Sequence, residues 1–129
     1  MNKLTLLGIA TQPKYDDNNQ WTGAVISVAI EAEVEDGDQK GLHRAEIKLG
    51  ISTLLAKTVK RYGLTESIEF NLMKHVEECL NTCPKKWPGT EHDANNIYEV
   101  IRLKLPRFIM KAADGIFYCQ NFRTGNISE

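Results

Sequence analysis

The sequence has few cysteines, few aromatic side chains and no long hydrophobic run. Its 129 residues include three cysteines, and aromatic side chains make up 8% of the chain. An odd and low cysteine count argues against a disulfide framework, and no segment approaches the ~18–20 apolar residues of a membrane span. The first residues also lack the apolar core and cleavage site of a secretory signal. These absences predict a cytoplasmic protein with reduced thiols and no membrane association.

An excess of charge of one sign is also missing. Sixteen Lys and Arg residues stand against seventeen Asp and Glu residues, which gives a formal net charge of -1. That balance is too even for a histone-like coat on DNA or for a strongly acidic DNA mimic. The hydrophobic fraction of 42% is that of a globular protein. We therefore expect a single domain over residues 1–122, followed by a polar tail, 123–129, that frays.

The first third of the chain has the period of β-strands. A short apolar segment, 3–10, precedes a polar loop, and apolar and polar residues then alternate over 26–34 and 45–51. A period of two places successive side chains on opposite faces of a sheet. Three such strands joined by reversals predict an antiparallel meander with one solvated face.

The middle third has helical spacing. We predict a helix over Thr53–Tyr62 that ends at Gly63, and a second helix that begins after Thr65 and ends at Pro84. The segment 83–96 combines two prolines and a glycine with no periodicity, which predicts a long loop.

The last third fits two interpretations. Apolar residues from 97 to 112 have helical spacing, but Pro106 would interrupt a helix near its middle. Alternation over 98–105 favours a strand that ends at the proline, and Asp114-Gly115 between apolar runs is typical of a hairpin, with a strand at 116–122. We predict a strand over 116–122, with Phe108–Ala112 as the other arm of the hairpin, and we favour a strand over a helix for 98–105. The predicted fold class is α+β, with an N-terminal three-stranded antiparallel meander, a helical middle and a C-terminal strand or hairpin.

Motifs of known catalytic or cofactor sites are absent. The chain has no nucleophile elbow and no Gly-rich phosphate loop. We therefore expect no enzyme and no cofactor.

One spacing has the chemistry of a metal site. His75, Cys79 and Cys83 recur at i, i+4 and i+8, and His92 follows nine residues later. Two thiolates and two imidazoles suit tetrahedral zinc, but the spacing is that of no standard finger, and a buried cysteine commonly packs as a small hydrophobe. We assign no metal site, and we keep a zinc-supported domain or hydrolase around these four residues as an alternative.

Acidic residues are concentrated between positions 31 and 38, and two aromatic residues flank the first loop. Such an acidic segment is typical of a solvated strand edge or of a docking surface for a basic partner. Exposed Tyr and Trp are typical of binding hot spots, although Trp also packs in cores. Our leading hypothesis is a small non-catalytic module, of an accessory, inhibitor or immunity type, that binds another protein. The predicted partner site contains Glu31, Glu33, Glu35, Asp36, Asp38, Tyr15 and Trp21.

Basic residues predominate later in the chain, near aromatic residues. The first 56 residues hold five bases and eight acids, whereas the remainder holds eleven and nine. Cations for phosphates and rings for base stacking are what single-stranded nucleic acid requires, although such binders usually have a net basic charge. A single-stranded nucleic-acid-binding domain is thus a further alternative. Its predicted residues are Tyr98, Arg102, Lys104, Arg107, Lys111, Lys85, Lys86 and Trp87.

Overall fold

The computed structural model describes residues 1–122, so the predicted tail, 123–129, lies outside the described residues. The elements are β1 (Lys3–Tyr15), β2 (Trp21–Val34), β3 (Gly41–Ser52), α1 (Thr53–Tyr62), α2 (Glu66–Lys86), α3 (Glu91–Ala113) and β4 (Cys119–Asn121). The described strands form one antiparallel sheet in the order β3–β2–β1–β4. The α+β class and the N-terminal three-stranded meander are confirmed.

The sheet is built on a long hairpin of β1 and β2. Asp16 closes its turn, because one carboxylate oxygen accepts the N–H groups of Asn18 and Gln20. β1 continues to Tyr15, so the predicted polar loop after Ala10 begins five residues too early. The last part of β1, from Thr11 to Tyr15, is polar but still pairs with β2. This pairing uses backbone hydrogen bonds, which do not require apolar side chains.

The helices cover one face of the sheet and share a core with it. Alternate residues of β2, from Ala24 to Val34, are buried against them. A register shift in β1 between Leu6 and Gly8 marks a bulge, and both Leu6 and Leu7 are buried there. Within residues 1–122, none of the helices combines the length and the apolar composition that crossing a membrane requires.

The first two helices begin where the sequence predicts. Ser52 accepts the N–H of Leu55, and Thr65 accepts the N–H of Ile68. α2 passes through Pro84 and ends at Lys86, so the predicted loop over 83–96 is reduced to the link between two helices. A proline within a helix removes one backbone hydrogen bond, because it has no N–H to donate. Pro84 lies near the end of α2, so this loss affects only the last turns of the helix.

The prediction of a strand over 98–105 is wrong, because these residues belong to α3. Pro106 lies inside this helix, and its missing N–H cannot bond the carbonyl of Arg102. The buried side chains Ile101 and Leu105 before the proline, and Phe108 after it, keep one apolar face against the sheet. Tertiary burial therefore outweighs the local cost of the proline.

The prediction of a hairpin around Asp114-Gly115 is also wrong. Gly115, at φ 75°, ends α3, and its N–H donates to the carbonyl of Ala112. The positive φ that glycine supplies to a hairpin turn is equally suited to a helix end. The C-terminal strand β4 is three residues long and pairs with β1, with Gly8 opposite Asn121.

Candidate functional site

A groove lies between α2 and α3 on the helical side of the molecule. The short link from Lys86 to Glu91 makes the two helices antiparallel neighbours. Two adjoining cavities of about 500 and 340 Å³ open between them and share Glu77 and Tyr98 in their walls. We call this the α2–α3 groove. Its lining consists of Glu66, Glu69, Phe70, Met73, Lys74, Glu77, Leu80, Asn81, Ala94, Asn95, Tyr98, Glu99 and Arg102.

The floor of the groove is apolar and one of its walls carries an exposed aromatic ring. Met73 and Leu80 are buried, since they face the core from the inner side of α2. Phe70 lies outside that buried stripe and is 67% exposed, whereas Tyr98 on α3 is half-buried. An exposed Phe beside a buried apolar floor leaves surface that a second chain could cover.

The rim of the groove has an excess of carboxylates. Four glutamates, Glu66, Glu69, Glu77 and Glu99, lie against two bases, Lys74 and Arg102. Arg102 is already engaged, because its Nε and Nη2 donate to Glu99 Oε2 at 3.1 and 2.9 Å. This hydrogen bond to Glu99, with an attraction from Glu69, raises the pKa of Arg102. The groove therefore favours a cation-bearing ligand.

The side chains of the groove are suited to recognition. They supply carboxylates, amides, rings and aliphatic surface, with neither a thiol nor a hydroxyl other than that of Tyr98. Apolar anchors with a charged rim are the usual composition of a protein-binding surface. This site was missed at the sequence level, because its glutamates are distributed over 66–99 and alternate with bases. The spacing Glu66, Glu69, Phe70, Glu77 on one helix was the available signal.

The predicted acidic segment lies at the β2–β3 end of the sheet, and much of its charge is balanced. Glu31 accepts a hydrogen bond from Arg44 Nε at 2.9 Å, and Glu33 lies opposite Lys3 in the strand register. The amino terminus of Met1 contacts Glu35. Asp36 and Asp38 are exposed in the turn. Partner binding by this segment stays a prediction.

The aromatic half of the predicted partner site lies at the other end of the sheet. Tyr15 and Trp21 are paired across β1 and β2, at 57% and 38% exposure. β2 separates them from the acidic turn by about 40 Å at 3.3 Å per residue. The structure therefore does not bring the two halves together. Tyr15 and Trp21 instead border a separate groove of about 390 Å³ with Lys60 and Asp114.

The predicted nucleic-acid set on α3 is divided between two sides of the helix. Tyr98 and Arg102 line the α2–α3 groove. At 100° per residue, the positions of Lys104, Arg107 and Lys111 project from about the opposite side. Lys104 lies over the ring of Phe122 and Lys111 over the ring of Tyr118, at 5.5 and 5.3 Å from the centroids.

The other predicted nucleic-acid cluster has no exposed ring. Trp87 is buried, and its Nε1 donates to Gln39 Oε1 at 3.2 Å. Its ring centroid is 5.7 Å from that of His43. Lys85 and Lys86 are exposed in the last turn of α2. A base could therefore not stack on Trp87 without displacing it from the core.

Three of the four candidate metal ligands, His75, Cys79 and Cys83, line one groove beside β3, and His92 does not. His75 Nε2 is 3.7 Å from Cys79 Sγ. His92 pairs with Asn96, and Cys83 is buried with its thiol directed at the carbonyl of Cys79. Residues 1–122 contain no group of three or more His, Cys, Asp or Glu side chains placed to hold a metal ion. Burial raises the pKa of both Cys79 and Cys83, and Glu78 adds to the rise at Cys79, which is the reverse of what a thiolate nucleophile requires.

Comparisons with known proteins give no match: no family model matches the chain, no curated protein is significantly similar to it, and no solved structure resembles its fold at a significant level.

Proposed function

We propose that the protein is a small non-catalytic module that binds another protein through the α2–α3 groove. The observation that carries the proposal is the exposed ring of Phe70 above an apolar floor, with a carboxylate-rich rim. The partner segment that fits is an amphipathic helix with an apolar side and basic residues along its edges. Helices commonly bind in such grooves through anchors at i, i+3 or i+4, and i+7.

The charges and the apolar surface have different roles in this proposal. The four glutamates attract and orient a basic segment, which affects chiefly the rate of association and the choice of partner. Phe70 and Tyr98 supply the contact area that excludes water and slows dissociation. Binding would therefore weaken with added salt, and truncation of Phe70 would weaken it at any salt concentration.

Affinity capture with matched variants tests the proposal. Wild-type protein, Phe70→Ala and the double variant Glu69→Lys/Glu77→Lys are used to capture proteins from lysate, which are identified by mass spectrometry. The control variant is Glu33→Lys/Asp36→Lys, which reverses two charges on the acidic segment instead. We expect a protein with a basic amphipathic segment to be retained by wild type and by the control and lost by both groove variants.

Two results would contradict the proposal. A partner that is retained by both groove variants does not use the α2–α3 groove. A partner lost only from the Glu33→Lys/Asp36→Lys variant would place the interface on the acidic segment. Circular dichroism of each variant shows whether a loss of binding reflects a loss of the fold.

A further inference from the structure

β3 is an uncovered edge of the sheet. It has β2 on one side, and on its other side no strand of the described chain pairs with it. It runs for twelve residues with an uninterrupted register from Gly41 to Ser52. Proteins commonly protect such edges with a proline, a bulge or charges of one sign. β3 contains neither of the first two.

The charges along β3 alternate in sign. Arg44, Glu46 and Lys48 lie on the face of the sheet that points away from the helices, while Ile47 and Leu49 point towards the core. In antiparallel pairing, side chains directly opposite one another share a face and interact. A strand with charges of one sign would repel a copy of itself, whereas an alternating strand can be complementary to its own copy.

We infer that β3 pairs antiparallel with β3 of a second copy of this chain, with Ala45 opposite Ala45. A twofold axis at this residue places Arg44 of each copy opposite Glu46 of the other, which gives two opposite-charge pairs. A shift of the axis to Glu46 would instead place Glu46 against Glu46 and Arg44 against Lys48. An axis at Ile47 would also pair opposite charges, Glu46 with Lys48 of the other copy. Charge complementarity therefore favours a second copy as the occupant, and the exposure of the first half of β3 favours Ala45 over Ile47 as the axis.

Two features near Ala45 leave space for a neighbouring strand. The first half of β3, up to Glu46, is exposed or half-exposed, whereas Ile47, Leu49 and Ile51 in the second half are buried. A groove of about 340 Å³ separates Ala45 and Glu46 from α2. Arg44 is held at the edge by its bond from Nε to Glu31, and the guanidinium has further N–H donors for a second carboxylate.

Two charge variants and their mixture test the inference by sedimentation velocity. Wild type is expected to form a concentration-dependent dimer. Glu46→Lys leaves only basic residues at positions 44, 46 and 48, and Arg44→Glu leaves only acidic residues at positions 44 and 46. Each variant alone should therefore dimerise at least tenfold more weakly than wild type. An equimolar mixture should recover dimer, because each copy then supplies the charge that the other lacks.

The register has its own control in Lys48→Glu. With Ala45 at the axis, Lys48 lies opposite Leu42 and the variant should dimerise as wild type does. A monomeric wild type at all concentrations, a Glu46→Lys variant that dimerises unchanged, or a mixture that stays monomeric would overturn the inference. Loss of dimer in Lys48→Glu would overturn the register. Glu46→Lys and Lys48→Glu remove only the exposed pair that Glu46 and Lys48 form at 3.8 Å, whereas Arg44→Glu also removes the hydrogen bond from Arg44 to Glu31.

Discussion

At the scale of single residues, Gly23 has the least space for a side chain among the glycines of residues 1–122. It lies in β2 opposite Ser52, at φ 144°, and a Cβ atom built on it would lie 2.0 Å from the carbonyl oxygen of Ile51. The neighbouring backbone belongs to the sheet and cannot move away without breaking the ladder. A glycine is therefore required here both by conformation and by packing.

Substitution of Gly23 by Ala is expected to destabilise the protein by about 2–4 kcal/mol, because the methyl group must displace strand backbone. Gly50 is the matched control. It lies on β3, exposed, with no atom within 4 Å of an added Cβ and without a positive φ. Chemical denaturation should show Gly50→Ala within about 0.5 kcal/mol of wild type. Equal effects of the two substitutions would contradict the account of the β2–β3 contact.

The three cysteines are expected to differ in reactivity. Cys119 is exposed, Cys79 is half-buried and Cys83 is buried. Since the pKa of Cys79 and of Cys83 is raised, and only the thiolate reacts, alkylation of either should begin at a higher pH than in the unfolded chain. Mass spectrometry of alkylated peptides between pH 7 and pH 10 should show Cys119 modified first. In urea, the three cysteines should be alkylated at similar pH. If Cys119 were still modified first in urea, burial would not be the cause of the difference in reactivity.

At the scale of elements, sequence patterns predicted the strands and helices whose formation depends on residues close together in the chain. The period of two in β2 and β3, the helical spacing of α1 and the cap at Thr65 were sufficient to predict those elements, because periodicity and capping operate over a few residues. The end of β1 and the path through Pro84 and Pro106 were not predictable in this way. They depend on pairing with β2 and on burial against the sheet, which are contacts between residues distant in the sequence.

The cap of α1 provides a test at this scale. Ser52 Oγ accepts the N–H of Leu55 at 3.1 Å, and the first turn of α1 has no acidic residue to assist it. Ser52→Ala should lower the free energy of unfolding by about 1 kcal/mol. Ser52→Asp should retain the stability of wild type, since a carboxylate both caps the helix and suits its dipole. An alanine variant as stable as wild type would show that the cap contributes little.

At the scale of the whole molecule, charge is distributed by surface and not by segment. The sequence predicted an acidic first part and a more basic second part, yet the structure pairs Glu31 with Arg44 and places a glutamate-rich groove within the second part. A linear count of charges could not show this, because helix packing brings Glu66 and Glu69 beside Arg102 from 33 or more residues away. The candidate site was therefore not visible in the sequence, because its residues come together only when α2 packs against α3.

The most direct test of the central claim, that the α2–α3 groove binds a basic amphipathic helix, is a titration with two labelled peptides. One is an 18-residue amphipathic helix with lysines beside its apolar side, and the other has glutamates in their place. We expect fluorescence anisotropy to show salt-sensitive binding of the basic peptide, with Phe70→Ala weakening it at least tenfold, or about 1.4 kcal/mol. Glu33→Lys/Asp36→Lys should bind within about twofold of wild type, because neither Glu33 nor Asp36 lines the groove. Equal affinity for the two peptides, no binding of the basic peptide, or binding unchanged in Phe70→Ala would contradict the account.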